Sequence, residues 1–255
     1  MLLEQLQWTI VVAREREPGS TGARDGAAGV HGTARTATWP LTSTSLPFRN
    51  HAVATGVSFT RAELKSFTGA TLPDLIGEPD PAGGGVRLLF VGINPGLRSV
   101  AVQGHFAPRG NRFYPALLRA GITNHLIDAS AGLSTADRAH LLAQGIGITG
   151  LVARATGSAG ELGRDELMEG ARTLTERVGR FLPRVVALLG VTAYRTAFGV
   201  PQAVLGRQPA DLAGAQLWVV PNPSGRNAHA SLDALAAAYR EAALAAGVPL
   251  RAPAL

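Results

Sequence analysis

The chain has 255 residues, of which 46% are hydrophobic and none is cysteine, and its formal net charge is +6. The lack of cysteine excludes disulfides, thiolate metal sites and a cysteine nucleophile, so the cytoplasm is the expected compartment. No apolar run is long enough to cross a bilayer, and the N-terminus lacks the basic start of a signal peptide. Arginine supplies almost all of the positive charge, which favours a phosphate-rich partner, although codon usage in a GC-rich genome gives the same bias.

The first 57 residues differ in composition from the rest of the chain. They are rich in Gly, Thr, Ala and Ser and show neither helical nor strand periodicity. Such a segment buries too little apolar surface to offset the entropy lost on ordering. We therefore expect residues 1–57 to form a disordered tail, with Trp8 and Trp39 as candidate local anchors. A folded domain over residues 58–249 and a short tail over residues 250–255 would follow.

The folded part begins with a helix signal and then a buried strand. Thr60 and Glu63 have the spacing of a capping box, which predicts a short helix. After a polar linker over residues 79–85, an apolar run without alternation leads up to Gly92, as is typical of a strand buried on both faces. Gly92-Ile93-Asn94-Pro95-Gly96 then predicts a sharp, stiff turn at the end of that strand.

The rest of the chain alternates between helix and strand patterns. Helices are predicted over residues 111–120, 134–144, about 165–182, 192–198 and about 231–246, and strands over residues 147–152, 184–190 and 216–220. This order predicts a three-layer α/β/α fold with a central, mostly parallel sheet of four to five strands. Ligands of such sheets bind outside the carboxyl ends of the strands, which is where Asn94 stands. The alternative for Asn94 is a turn residue that tolerates left-handed geometry.

Four short motifs resemble the mismatch-specific uracil-DNA glycosylase family, which is related to the thymine-DNA glycosylases within the uracil-DNA glycosylase superfamily. They are, in chain order, residues 92–96, Phe106, Asn111-Arg112-Phe113 and Asn222-Pro223-Ser224-Gly225. Residues 71–76 and 147–156 also look like family segments, and the resemblance extends over about residues 59–247. It implies a uracil-DNA glycosylase-like fold and a monofunctional enzyme without metal or cofactor. That enzyme would flip uracil, thymine or a modified pyrimidine out of a mismatch with guanine and hydrolyse the N-glycosidic bond.

The resemblance also implies partners and a location. The substrate would be double-stranded DNA with G·U or G·T mismatches, and downstream abasic-site repair enzymes would take the product. We expect a monomer in the bacterial cytoplasm, associated with the nucleoid and not with a membrane.

Five residues around the first turn carry the implied base pocket. Asn94 would position the attacking water, although its amide cannot act as a strong general base. Phe106 would stack on the flipped base or belong to the core, and backbone amides near Ile93 and Phe106 would bind the carbonyl oxygens of the base. His105 resembles the thymine-excising branch and would either shape the pocket or remain a solvated loop residue. Asn111 would bond the loop backbone or cap the following helix.

The implied DNA wedge follows the last strand. Gly225, Arg226 and Asn227 match the loop that enters the duplex, and Arg226 replaces the leucine of the bacterial pattern. An arginine can fill space and bind the unpaired guanine, but it is a poorer apolar wedge. Ser224 would bind a phosphate or stabilise the turn. Asn222 stands where other uracil glycosylase families have a catalytic histidine.

Several polar residues are ambiguous from the sequence. Arg112 would bind phosphate or lie solvated on its helix, and His229 would face DNA or cap the last helix. Asp74, Glu78 and Asp80 precede the first strand, where one carboxylate could reach the pocket rim, but most such residues are solvated.

Two other functions remain open. One is a protein that binds mismatches or abasic sites with little catalytic activity. The other is a small-nucleotide enzyme, for which the chain lacks both the G-x-x-x-x-G-K-[ST] and the G-x-G-x-x-G phosphate-binding motifs.

Overall fold

Four parallel strands and one antiparallel edge strand form the central sheet of the computed structural model, which describes residues 58–78, 85–227 and 230–251. The strands are β1 (Leu88–Gly92), β2 (Ile146–Gly150), β3 (Val185–Leu189), β4 (Gly206–Arg207) and β5 (Gln216–Val220). Their order across the sheet is β2-β1-β3-β5-β4, and only β4 runs antiparallel to its neighbour. The predicted N-terminal tail, Asp80 and His229 lie outside the described residues.

Seven helices are described around this sheet. They are α1 (Arg61–Lys65), α2 (Leu97–Ala101), α3 (Phe113–Arg119), α4 (Thr135–Ala143), α5 (Arg164–Phe181), α6 (Val191–Phe198) and α7 (Leu232–Ala245), with a 3-10 turn at Ala159–Glu161. None of the helices in the described part of the chain is long and apolar enough to span a membrane.

The sheet is covered on both faces, as the unalternated strands predicted. Every residue of β1 and β3 is buried. Side chains on one face, such as Phe90, pack with α3, α4 and α7. Those on the other face, such as Val91, pack with α5 and α6. The three-layer α/β/α prediction is therefore confirmed.

Side-chain caps mark the starts of three of the described helices. Thr60 and Glu63 form the predicted capping box, and the Ser134 and Ser231 side chains cap α4 and α7. Helix α3 begins two residues later than predicted, because the Asn111 side chain accepts a hydrogen bond from the Phe113 amide ahead of the first turn. Helix α2 and strand β4 were not predicted.

Main-chain pairing continues beyond the named strands at both ends of the domain. Leu75 forms an antiparallel bridge with Ile148 and so covers the outer edge of β2. After α7, Leu250 packs against the core and the Arg251 amide donates to the Gly121 carbonyl at 2.9 Å.

Candidate active site

A cleft of about 1300 Å³ lies at the carboxyl ends of the parallel strands. Its walls come from the loops after the four parallel strands and from residues 72–74 and 105–111. Typical small-molecule pockets measure about 300–1000 Å³, so this cleft is large enough for part of a polymer. All of the site residues predicted from the sequence line it: Asn94, Ile93, His105, Phe106, Asn111, Ser224, Gly225, Arg226 and Asn227.

Asn94 is held by two acceptors from the segment after β2. Its Nδ2 donates to the Arg154 carbonyl at 3.0 Å and to Thr156 Oγ1 at 2.7 Å. A carbonyl can only accept, so the contact with Arg154 determines which side of the amide is NH2. The Thr156 hydroxyl donates its own hydrogen to the Ser158 carbonyl at 2.7 Å, which leaves it free to accept from Asn94.

The remaining polar atom of Asn94 is its amide oxygen. No hydrogen bond to Oδ1 is present within the described part of the protein, and Asn94 borders the cleft. The geometry therefore leaves a fixed acceptor for a donor such as water. Because the amide does not titrate in a useful range, this acceptor can orient a water molecule but cannot take up its proton.

The Asn94 loop is joined to the same segment by main-chain hydrogen bonds. The carbonyls of Gly92 and Ile93 accept from the amides of Leu151 and Val152 at 2.8 and 2.9 Å, and the Pro95 carbonyl accepts from the Thr156 amide at 3.3 Å. Ile93 itself lines the cleft. Its suggested role as an amide donor to a base stays a prediction.

Phe106 presents an aromatic ring to the cleft from an unusual backbone position. Its φ of 55° lies in the left-handed region, which costs a non-glycine residue on the order of 1–2 kcal/mol. The ring stacks on Phe113 with a centroid distance of 4.0 Å and an interplanar angle of 28°. The ring also lies close to Gly92, where a Cβ would be in ordinary van der Waals contact with it at 3.5 Å. Because Phe113 covers one face, a planar ligand can stack only on the other.

His105 is a half-buried, neutral residue rather than a solvated one. Its Nε2 lies 3.0 Å from the Pro73 carbonyl, which can only accept, so Nε2 carries the hydrogen. Burial lowers the pKa of His105, against opposing effects of the Pro73 hydrogen bond and the Asp74 charge. The His105 carbonyl accepts from the Tyr114 hydroxyl at 3.1 Å. Burial raises the pKa of the Tyr114 phenol, which therefore stays protonated and able to donate.

The loop over residues 222–227 forms a closed turn. Asn222 Oδ1 accepts from the Ser224 amide and the Asn222 carbonyl accepts from Asn227 Nδ2, both at 2.9 Å. Ser224 Oγ accepts from the Arg226 amide at 3.3 Å, so the Ser224 side chain stabilises the turn. Gly225 and Arg226 are exposed at its tip.

A close approach explains the glycine in this turn. A Cβ on Gly225 would lie 2.9 Å from the Gly110 carbonyl oxygen, which is shorter than a normal contact. The turn therefore packs directly on the loop that carries Phe106 and Asn111.

The interpretation of Arg112 as a solvated helix residue was wrong, because its guanidinium donates to three carbonyls of the last loop. These belong to Asn227 at 2.7 Å, Ser224 at 3.2 Å, and Ala230. Arg112 thereby fastens the loop over residues 222–227 to the start of α3. The suggested contact of Arg112 with phosphate stays a prediction.

Positive charge prevails along the cleft. Arg109, Arg177 and Arg226 line it, and Asp74 is the one carboxylate among its described lining residues. Thr149 Oγ1 donates to one oxygen of Asp74 at 2.7 Å, and Arg177 Nε lies 3.2 Å from the other. Glu78 is exposed and is not part of the cleft lining. No group of three His, Asp or Glu side chains within the described ranges is placed to hold a metal ion.

Sequence reasoning missed the residues that hold Asn94. Arg154 and Thr156 are 60 and 62 positions away from it. The only indication in the sequence was that residues 147–156 resemble a segment of the mismatch-specific uracil-DNA glycosylase family. Pairing of β1 with β2 brings the two stretches together.

The described fold and cleft agree with a comparison to known protein families. The model of the Uracil DNA glycosylase superfamily matches residues 81–245, which is more than half of the chain. The match includes all five strands and the loops that carry Asn94, Phe106 and Arg226. The chain therefore belongs to the uracil DNA glycosylase superfamily, whose members are hydrolytic DNA glycosylases.

Proposed function

We propose that this protein is a monofunctional, mismatch-specific uracil-DNA glycosylase that removes uracil, and also thymine or modified pyrimidines, opposite guanine in double-stranded DNA. The observation that carries the proposal is the fixed Asn94 amide. Its NH2 group is held by Arg154 and Thr156, and its oxygen is left to a cleft that also presents the Phe106 ring.

This arrangement supports a hydrolysis in which the protein orients water rather than deprotonating it. The flipped base stacks on Phe106 while Asn94 Oδ1 accepts a hydrogen bond from the attacking water. The N-glycosidic bond breaks and its electron pair leaves with the base. The water oxygen bonds to C1′, and the proton that it releases goes to solvent or to the departing base.

Because Asn94 can orient a water molecule but cannot deprotonate it, we expect an enzyme that is selective rather than fast. The neutral Asn94 amide supplies no proton transfer, so the rate depends on stabilising the departing base. Flipping costs least at a mismatch, and a slow enzyme acts mainly where this cost is low. Arg226, exposed at the tip of its turn, is suited to occupy the vacated space and to donate hydrogen bonds to the unpaired guanine.

We further propose that the protein acts as a monomer on nucleoid DNA in the bacterial cytoplasm. It would pass its abasic product to downstream repair enzymes. Sedimentation at micromolar concentration tests the monomer, and a dimer would contradict it.

Base release from labelled DNA tests the proposed reaction. Duplexes with G·U, A·U or G·T pairs, and single-stranded uracil DNA, are incubated with excess enzyme and cleaved with alkali at the abasic site. We expect faster release from G·U than from A·U. Asn94→Ala should slow release on the order of a hundredfold, as for removal of a key polar group in other enzymes. Asn124→Ala, at an exposed asparagine outside the cleft, is the matched control and should retain activity.

Each other outcome contradicts a defined part of the proposal. Equal rates on every uracil substrate would keep the glycosylase but remove its mismatch specificity. Full activity in Asn94→Ala would show that another group orients the water. Tight binding to an abasic duplex without any base release would identify a binding protein.

A further inference from the structure

A carboxylate in this cleft presents an electrostatic problem. Asp74 lines the cleft, and its side chain retains 33% of its accessible surface. DNA is a polyanion, and the proposed reaction releases the base with a negative charge. An unpaired carboxylate nearby would repel both. Its charge also acts on His105, whose pKa it raises against the larger lowering by burial.

The guanidinium of Arg177 pairs with this charge. It lies on α5, and its side chain, 19% exposed, reaches the cleft with Nε 3.2 Å from Asp74 Oδ2. The Thr149 hydroxyl completes the arrangement, because it donates to Asp74 Oδ1 and accepts from Arg177 Nη1, both at 2.7 Å. Both carboxylate oxygens of Asp74 are therefore in contact with a donor or a cation.

The same guanidinium also holds the end of β2. Arg177 Nη1 donates to the Gly150 carbonyl at 3.0 Å. Gly150 is the last residue of β2 and begins the segment that supplies the Arg154 carbonyl and the Thr156 hydroxyl to Asn94. Arg177 thus lies at the base of the segment that orients the Asn94 amide.

We propose that Arg177 is a positioning residue of the glycosylase, which neutralises Asp74 on the cleft wall and anchors the segment that orients Asn94. This inference rests on the proposed function. Loss of the guanidinium would leave an unpaired charge beside the departing base and loosen the end of β2. Only the first of these effects disappears when Asp74 is also made neutral.

The decisive experiment is a charge rescue. Base release from G·U duplex under single-turnover conditions is measured for Arg177→Met, Asp74→Asn and the double variant. We expect Arg177→Met to slow release on the order of tenfold to a hundredfold, as when one partner of a partly buried pair is removed. Adding Asp74→Asn should recover most of that loss. The control is Arg172→Met on the same helix, where the arginine pairs with Glu169 and Glu176 on the exposed surface.

The outcomes separate an electrostatic role from a merely structural one. If Arg177 only stabilised the fold, the double variant would be no faster than Arg177→Met, and the proposal would be wrong. The proposal also fails if Arg177→Met matches Arg172→Met in rate. Thermal unfolding is recorded for each variant, and Arg177→Gln replaces Arg177→Met if the latter does not fold at the assay temperature.

A second measurement keeps this inference distinct from the proposed function. If the unmodified protein releases no base, the glycosylase proposal fails, and affinity for a duplex with a tetrahydrofuran abasic analogue opposite guanine becomes the readout. Arg177→Met should then weaken binding and Asp74→Asn should restore it. Unchanged affinity in Arg177→Met would overturn the role of the pair in that case also.

Discussion

Thr156→Val removes the hydroxyl that holds one hydrogen of the Asn94 amide. Thr156 is 1% exposed, and its Oγ1 accepts from Asn94 Nδ2 and donates to the Ser158 carbonyl, both at 2.7 Å. Valine has nearly the same shape, so the change deletes two hydrogen bonds without opening a cavity. Leaving buried polar groups unpaired costs about 1–3 kcal/mol. In a domain of this size that corresponds to a melting temperature lower by about 2–4 °C for each kcal/mol.

Part of this cost should appear in the rate of base release. With one of its two restraints removed, the Asn94 amide can rotate, and its oxygen would no longer point consistently at the proposed attacking water. If about 1.4 kcal/mol of orientation is lost, release slows about tenfold. Single-turnover alkali cleavage of G·U duplex measures the rate, and Thr156→Ser, which keeps a hydroxyl, should remain close to the unmodified protein.

Thr123 provides the matched control. It is 2% exposed, and its hydroxyl has no hydrogen-bond partner among the residues that the structure describes. Thr123→Val therefore removes a buried hydroxyl that forms no hydrogen bond with the described residues. The rate of base release should stay unchanged, and the free energy of unfolding should be equal or higher. The reasoning is refuted if Thr156→Val releases uracil at the unmodified rate, or if the two valine variants slow it equally.

Three further changes test other parts of the cleft. Phe106→Leu removes the aromatic surface that Phe113 supports. Because stacking contributes about 1–3 kcal/mol per base, this change should weaken binding of a G·U duplex with non-hydrolysable 2′-fluorinated deoxyuridine by about tenfold. Unchanged affinity would exclude stacking. Gly225→Ala should displace the turn from the Gly110 carbonyl and reduce the preference for G·U over A·U, and a constant ratio would argue against the wedge role. His105 has a pKa below its ordinary 6.5, so below about pH 6.5 the unfolded chain binds the proton first and stability falls. His105→Gln should remove part of that fall in thermal melts between pH 7 and 5, and an identical decline would contradict the buried, neutral histidine.

Much of the fold could be predicted because its signals are local. Strand β5 matched its predicted bounds, and β3 lies inside its predicted range. Both were predictable because a short apolar run without polar alternation is typical of a buried strand. The cap at Thr60 was likewise found because the four residues from Thr60 to Glu63 are enough to define it. Helix α2 was missed because its five residues, directly after a Pro-Gly turn, give too little periodicity. Strand β4 has two residues and exists only through its pairing with β5.

The site was predictable in its positions but not in its contacts. The loops that carry Asn94 and Arg226 were predicted from topology alone to lie at one edge of the sheet. The hydrogen bonds that decide what these residues can do join distant positions, such as Arg112 with the carbonyls of Ser224 and Asn227. A long arginine can reach many acceptors, and neither composition nor periodicity selects among them.

The pairing of Leu75 with Ile148 has a consequence for handling the protein. Their main chains exchange two hydrogen bonds, at 2.7 and 2.9 Å, so the segment before the first strand occupies the outer edge of β2. A bare strand edge is a template for pairing with other molecules. A fragment trimmed to residues 81–245, the span of the family match, would uncover this edge and lose Asp74 as well. We therefore expect shortened versions that lack the Leu75 segment to associate more readily through the exposed edge of β2.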